Sequence, residues 1–75
     1  MNGFERFDRR WLDIFLLKLR EESPRHWLVV EKTVFSNVKD KNVARRLQLS
    51  RQRIGQIRKE ALRLLELMLS SAEFK

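Results

Sequence analysis

Seventy-five residues leave no room for a second core, and the absence of cysteine excludes a disulfide. One histidine without thiolates cannot build a tetrahedral zinc site. The formal net charge is +7, no uncharged run approaches the ~20 residues of a membrane span, and acidic residues interrupt the N-terminus where a signal peptide would be apolar. The expectation is a cytoplasmic all-α domain over residues 1–75, with no cofactor, no metal and no membrane association.

The first predicted helix runs from Phe4 to Glu21. Phe4, Phe7, Trp11, Ile14 and Phe15 recur at spacings of three and four and make one face. Ser23-Pro24 then reads as an N-cap followed by proline at the first helical position. The second helix extends from Pro24 to about Phe35 and buries Trp27, Val30 and Val34 with one side of Leu28. Residues 36–39 form a short loop. A third, short helix spans about Asp40 to Gln48 with Val43, Ala44 and Leu47 inward, and Leu49 lies in a tight turn. Ser50 caps the last helix, which starts at Arg51 and reaches toward Ser70. At 1.5 Å per residue such a helix is ~30 Å long, unusual in so small a domain.

Charge is unevenly distributed along these elements. Residues 1–35 carry 7 basic and 6 acidic side chains, residues 36–63 carry 9 and 2, and residues 64–75 carry 1 and 2. The excess therefore sits in one central block, which is the electrostatic pattern of a nucleic-acid binder. A surface charged only for solubility usually mixes its signs.

That block coincides with a short helix, a turn and a long helix, the order of elements in a helix-turn-helix. Val43, Ala44, Leu47, Leu49, Ile54 and Ile57 fill the small or apolar slots where the two helices cross. The turn holds Gln48 and Leu49 where glycine is common. On the last helix Ile54, Ile57, Ala61, Leu64, Leu65 and Met68 share one face. Gln52, Gln56, Lys59 and Arg63 lie opposite, with Gly55 beside them. Glutamine can pair bidentately with adenine, whereas arginine and lysine prefer guanine or phosphate. Gly55 removes side-chain bulk and would let DNA approach the backbone. The expected base contacts are Arg51, Gln52, Gly55, Gln56 and Lys59. The expected phosphate contacts, which position without specifying, are Lys39, Lys41, Arg45, Arg46, Ser50, Arg53 and Arg63.

The segment Leu49-Ser50-Arg51-Gln52-Arg53-Ile54-Gly55-Gln56-Ile57, followed by Ala61-Leu62-Arg63, resembles region four of bacterial sigma factors, their C-terminal promoter-reading domain. Ser23-Pro24-Arg25, opening a helix after Leu17-Lys18-Leu19, is similar to that family's entry segment, so the likeness covers roughly residues 11–66. It implies major-groove reading of a promoter element through Arg51, Gln52, Gly55 and Gln56. Glutamate is common in the family where Gln52 stands, and arginine where Gly55 stands. Glutamine shifts preference from cytosine toward adenine, and glycine removes one contact, so the implied element differs from the usual one. The domains with which sigma factors bind the polymerase clamp and melt DNA do not fit in 75 residues. The chain reads as an excised domain or a free-standing regulator, of bacterial, phage or plasmid type.

The remaining features read more plainly. His26 lacks a nucleophile or carboxylate constellation and is expected on a helix surface; Trp11 and Trp27 are expected in the core. No catalytic motif is present, so an enzyme is not expected. Leu62, Leu67 and Leu69 spread around the last helix, and with Leu16 on the first they suggest either packing between those helices or an interface. Such an interface would serve a homodimer or an RNA polymerase surface. The leading expectation is thus a transcription regulator that binds specific double-stranded DNA. The alternative is an interaction protein that docks on RNA polymerase or a sigma factor.

Overall fold

The structure, a computed structural model, describes residues 3–70. It is all-α, with four helices and no strand among the described residues: α1 (Arg9–Glu22), α2 (Pro24–Val30), α3 (Asp40–Leu47) and α4 (Arg51–Leu69). A 3₁₀ turn (Phe4–Arg6) precedes α1, and a π turn (Glu31–Phe35) extends α2. The last helix is the longest, as expected.

α4 carries both halves of the core. Ile54 and Ile57 are fully buried with Val29, Val43 and Ala44, which joins α2 and α3 to the N-terminal half of α4. Ala61 and Leu65 are fully buried with Phe4, Leu12, Phe15, Leu19 and Val30, which joins α1 and α2 to its C-terminal half. The adjacent Val29 and Val30 therefore serve one cluster each, and α2 packs against both α1 and α4.

The first helix differs from expectation. It does not begin at Phe4: the chain turns at Phe7, which is extended (φ −103°, ψ 146°), and α1 starts after Asp8. Asp8 is a true N-cap, its Oδ1 accepting from the Arg10 backbone N–H at 2.9 Å. That bond, and then the Arg10 guanidinium, hold the Asp8 carboxyl below its ordinary value of 3.8. The break shifts the buried face to Leu12, Phe15 and Leu19, leaving Ile14 46% exposed and Trp11 only half-buried. The expected face had continued the periodicity of Phe4 and Phe7 through a backbone that is not helical there.

The second helix is also modified. Ser23 precedes Pro24 as expected but makes no side-chain cap; its hydroxyl turns to the His26 ring instead. From Glu31 the helix widens into the π turn, where Ser36 N–H reaches Glu31 C=O at 2.9 Å. Thr33 Oγ1 donates to Val29 C=O at 2.7 Å, a side-chain bond to the carbonyl four residues back. Val29, not in the expected core, is fully buried, while Trp27 and Val34 are half-buried.

The turn between α3 and α4 is built without glycine. Gln48 adopts the left-handed conformation (φ 58°, ψ 42°). Its N–H and that of Leu49 return to Arg45 C=O and Ala44 C=O at 3.3 and 2.9 Å, the paired bonds of a Schellman ending. Leu49 folds back onto the cluster that contains Ala44. Ser50 then caps α4, its Oγ accepting from Arg53 N–H at 3.0 Å. A non-glycine residue in this conformation costs roughly 1–2 kcal/mol, more than the about 0.4–1 kcal/mol that glycine adds to unfolded-chain entropy. Gln48→Gly is therefore expected to stabilise the fold by roughly 0.5–1 kcal/mol, read as a raised urea midpoint with an unchanged m-value.

Candidate nucleic-acid interface

The register of α4 that buries Ile54, Ile57, Ala61 and Leu65 leaves Arg51, Gln52, Gln56, Lys59 and Arg63 exposed. Gly55 lies at the edge of this surface, and a β-carbon built on it would meet nothing within 4 Å beyond its chain neighbours and its own helix backbone. No packing inside the chain therefore requires glycine at that position. Ahead of α4, Lys39, Lys41, Arg45 and Arg46 are likewise exposed, on α3 and at its entrance.

Ion pairing divides the basic residues into two groups. Both acids of residues 36–63 are engaged with the chain's own cations. Asp40 receives a two-pronged contact from Arg58, at 2.7 and 3.0 Å, which fastens the first turn of α3 to the middle of α4. Glu60 meets His26 Nε2 at 2.9 Å and Arg53 Nη1 at 3.5 Å. Among the described residues, Lys39, Lys41, Arg45, Arg46, Arg51, Lys59 and Arg63 make no ion pair. The N-terminal region behaves differently: Arg6, Arg9 and Arg10 pair with Glu66, Asp13 and Asp8, and Arg20 lies over the Trp27 ring.

Three residues take parts that the sequence reading did not assign. Arg58 was not singled out, although its place beside the apolar stripe of α4 and the lone acid of α3 was visible in the sequence. His26 is not an isolated surface residue. Its Nε2–H donates to the Glu60 carboxylate, which leaves Nδ1 to accept from the Ser23 hydroxyl in the neutral ring. Arg53, expected on phosphate, is half-buried and spans Glu60 and Gln56 along α4, with Nη1 3.5 Å from each side-chain oxygen. Ser50 uses an oxygen lone pair as cap and keeps its hydroxyl proton for donation outward.

The apolar residues expected at an interface separate. Leu16, Leu62 and Leu69 are half-buried against the α1–α4 core, and Leu62 lies against the backbone of Gly3. Leu67 is 60% exposed, with Leu64 beside it at 42%. Among the described residues no cluster of acids and histidines could hold a metal ion, and no helix is long and apolar enough to cross a membrane.

No protein-family model matches the chain, and no curated protein or solved structure resembles it significantly.

The His26 hydrogen bond is the main reason the Glu60 carboxyl lies below its ordinary value of 4.5; the Arg53 charge adds to the effect and partial desolvation opposes it. A depressed folded-state value contributes stability that is complete above about 4.5 and is lost as pH falls through the lower value. The urea midpoint of Glu60→Gln is expected below wild type at neutral pH, with the gap closing through that acidic window.

Proposed function

We propose that this chain is a sequence-specific duplex-DNA-binding transcription regulator. In this reading α3, residues 48–50 and α4 form a helix-turn-helix, and α4 is the recognition helix that enters the major groove. The observation that carries the reading is the segregation of charge. Both acids of the central block are occupied by Arg58, Arg53 and His26, while seven exposed cations on α3 and α4 keep no partner among the described residues. A surface that neutralises its own acids and leaves its cations free suits a polyanion.

The roles follow from position. Gln52 and Gln56 stand one helical turn apart and present amides to successive base edges, with Arg51 and Lys59 flanking them. Lys39, Lys41, Arg45, Arg46 and Arg63 neutralise phosphates, joined by the Ser50 hydroxyl. Arg53, engaged with Glu60 and Gln56, orients the Gln56 amide: a guanidinium only donates, so the Gln56 oxygen faces it. Glycine inside a helix costs about 1 kcal/mol relative to alanine. The open space beside Gly55 makes that cost explicable by something outside the chain, the close approach of a DNA backbone.

Selection of binding sites from random duplexes, followed by anisotropy titrations over a range of salt, tests the reading. Each phosphate contact contributes about −0.9 to the slope of log affinity against log salt, so seven cations bound that slope near −6. Gln52→Ala and Gln56→Ala are expected to cost roughly 1–3 kcal/mol on the selected site and little on random DNA, whereas Arg45→Ala and Arg46→Ala weaken both alike. Equal affinity for selected and random duplexes, or glutamine variants that leave the preference intact, would sink the proposal.

Gly55→Ala separates fold from function. It is expected to raise thermal stability by about 1 kcal/mol while weakening DNA binding. An unchanged affinity in that variant would show that no DNA approaches closely at this position.

A further inference from the structure

A second feature of α3 is left unused by DNA reading. Between α2 with its π turn and α3 runs a groove of 540 Å³. Its apolar lining is Leu28, Val38, Val43 and Leu47, of which all but Val43 are only half-buried. Its rim holds Arg45 and Arg46, neither of which has an ion pair among the described residues, together with Lys32 and Asn42. No carboxylate lines it; the nearest acid in an ion pair with the rim is Glu31, 3.7 Å from Lys32.

Two other grooves carry mixed charge. The 290 Å³ groove between α1 and α4 is edged by Lys18 and Glu22, and the 340 Å³ groove between α1 and α2 by Asp13 and Arg20. The α2–α3 groove alone of these three combines an aliphatic lining with cations of one sign. Phosphate would satisfy the rim and leave the lining wet. A second copy of this chain would bring a further net charge of +7 to an already cationic edge. The fitting occupant offers carboxylates and aliphatic side chains together. With no strand among the described residues to extend a partner's sheet, the geometry suits a helix laid in the groove.

We propose that the α2–α3 groove is a docking site for an acidic amphipathic helix of a partner protein. Its leucine-type side chains rest on Leu28, Val38, Val43 and Leu47, and its carboxylates pair with Arg45 and Arg46. The apolar lining stands independently of the DNA reading, while Arg45 and Arg46 on the rim are also phosphate contacts in that reading.

The test uses a labelled helical peptide of about four turns, with leucines at positions i, i+3, i+4 and i+7 and glutamates between them, titrated onto the whole chain. Saturable binding is expected, with a scrambled peptide of equal composition weaker by roughly tenfold, the loss of one buried leucine's worth of contact. Leu28→Glu weakens binding by a similar factor, and Arg46→Glu, at an exposed position that spares the fold, by about fivefold. On the unaltered protein, methyl resonances of Leu28, Val38, Val43 and Leu47 shift on binding. Equal affinity for the scrambled peptide overturns the proposal and leaves the rim a general anion surface of the kind phosphate uses. Shifts confined to Leu64 and Leu67 overturn it too. So does self-association in sedimentation that Arg46→Glu abolishes, which gives the groove to a second copy.

Discussion

The structure depends on one apolar stripe. Ile54, Ile57, Ala61 and Leu65 are all fully buried along α4, the first two in one half of the core and the last two in the other. Burying each of the three larger side chains is worth about 1.5–3 kcal/mol, a large share of the stability expected of a domain this small. The stripe also sets the rotation of α4 about its axis. A helix rotated by one residue, ~100°, would turn Gln52 and Gln56 toward its neighbours and expose the isoleucines. Core packing and the orientation of the exposed amides are therefore one constraint, and the proposed reading face follows from it.

Electrostatics works on top of that frame. Asp40 and Arg58, both half-buried, meet through two hydrogen bonds between the carboxylate of α3 and the guanidinium of α4. The pair ties the start of α3 to the middle of α4, at the end of α3 away from the turn that joins the two helices. The Ser23–His26–Glu60–Arg53 series does the same between α2 and α4. Both arrangements consume acids that would otherwise weaken the positive field of the central block. The same few side chains thus brace the helices, while Lys39, Lys41, Arg45, Arg46, Arg51, Lys59 and Arg63 make no ion pair among the described residues.

The α3 helix has two sides of different character. Its N-terminal entrance and its exposed cations continue the proposed DNA surface, while Val43 and Leu47 line a groove shared with α2. Arg45 and Arg46 border both. In the two readings proposed above, a protein partner and DNA approach neighbouring faces of one short helix, with the two arginines in reach of either.

Much of this was legible in the residues alone. The spacing of Ile54, Ile57, Ala61 and Leu65 marks α4, Ser50 marks its start, Pro24 marks the start of α2, and the charge block marks the cationic surface, because each signal depends on neighbours within a turn or two. Other features needed the folded chain. The break at Phe7 was hidden because Phe4 and Phe7 continue a helical spacing although they reach the core from outside α1; Asp8 was the local sign of it. The π turn, the burial of Val29 and the sorting of Leu62 from Leu67 depend on which helix lies opposite. His26 and Arg53 looked like free surface residues until Glu60, 34 and 7 positions away, came within reach. The sequence by itself determined four helices and where the charge lies, since periodicity and capping are local. Only the tertiary structure decided which charges pair with one another, since pairing is a property of distance in space.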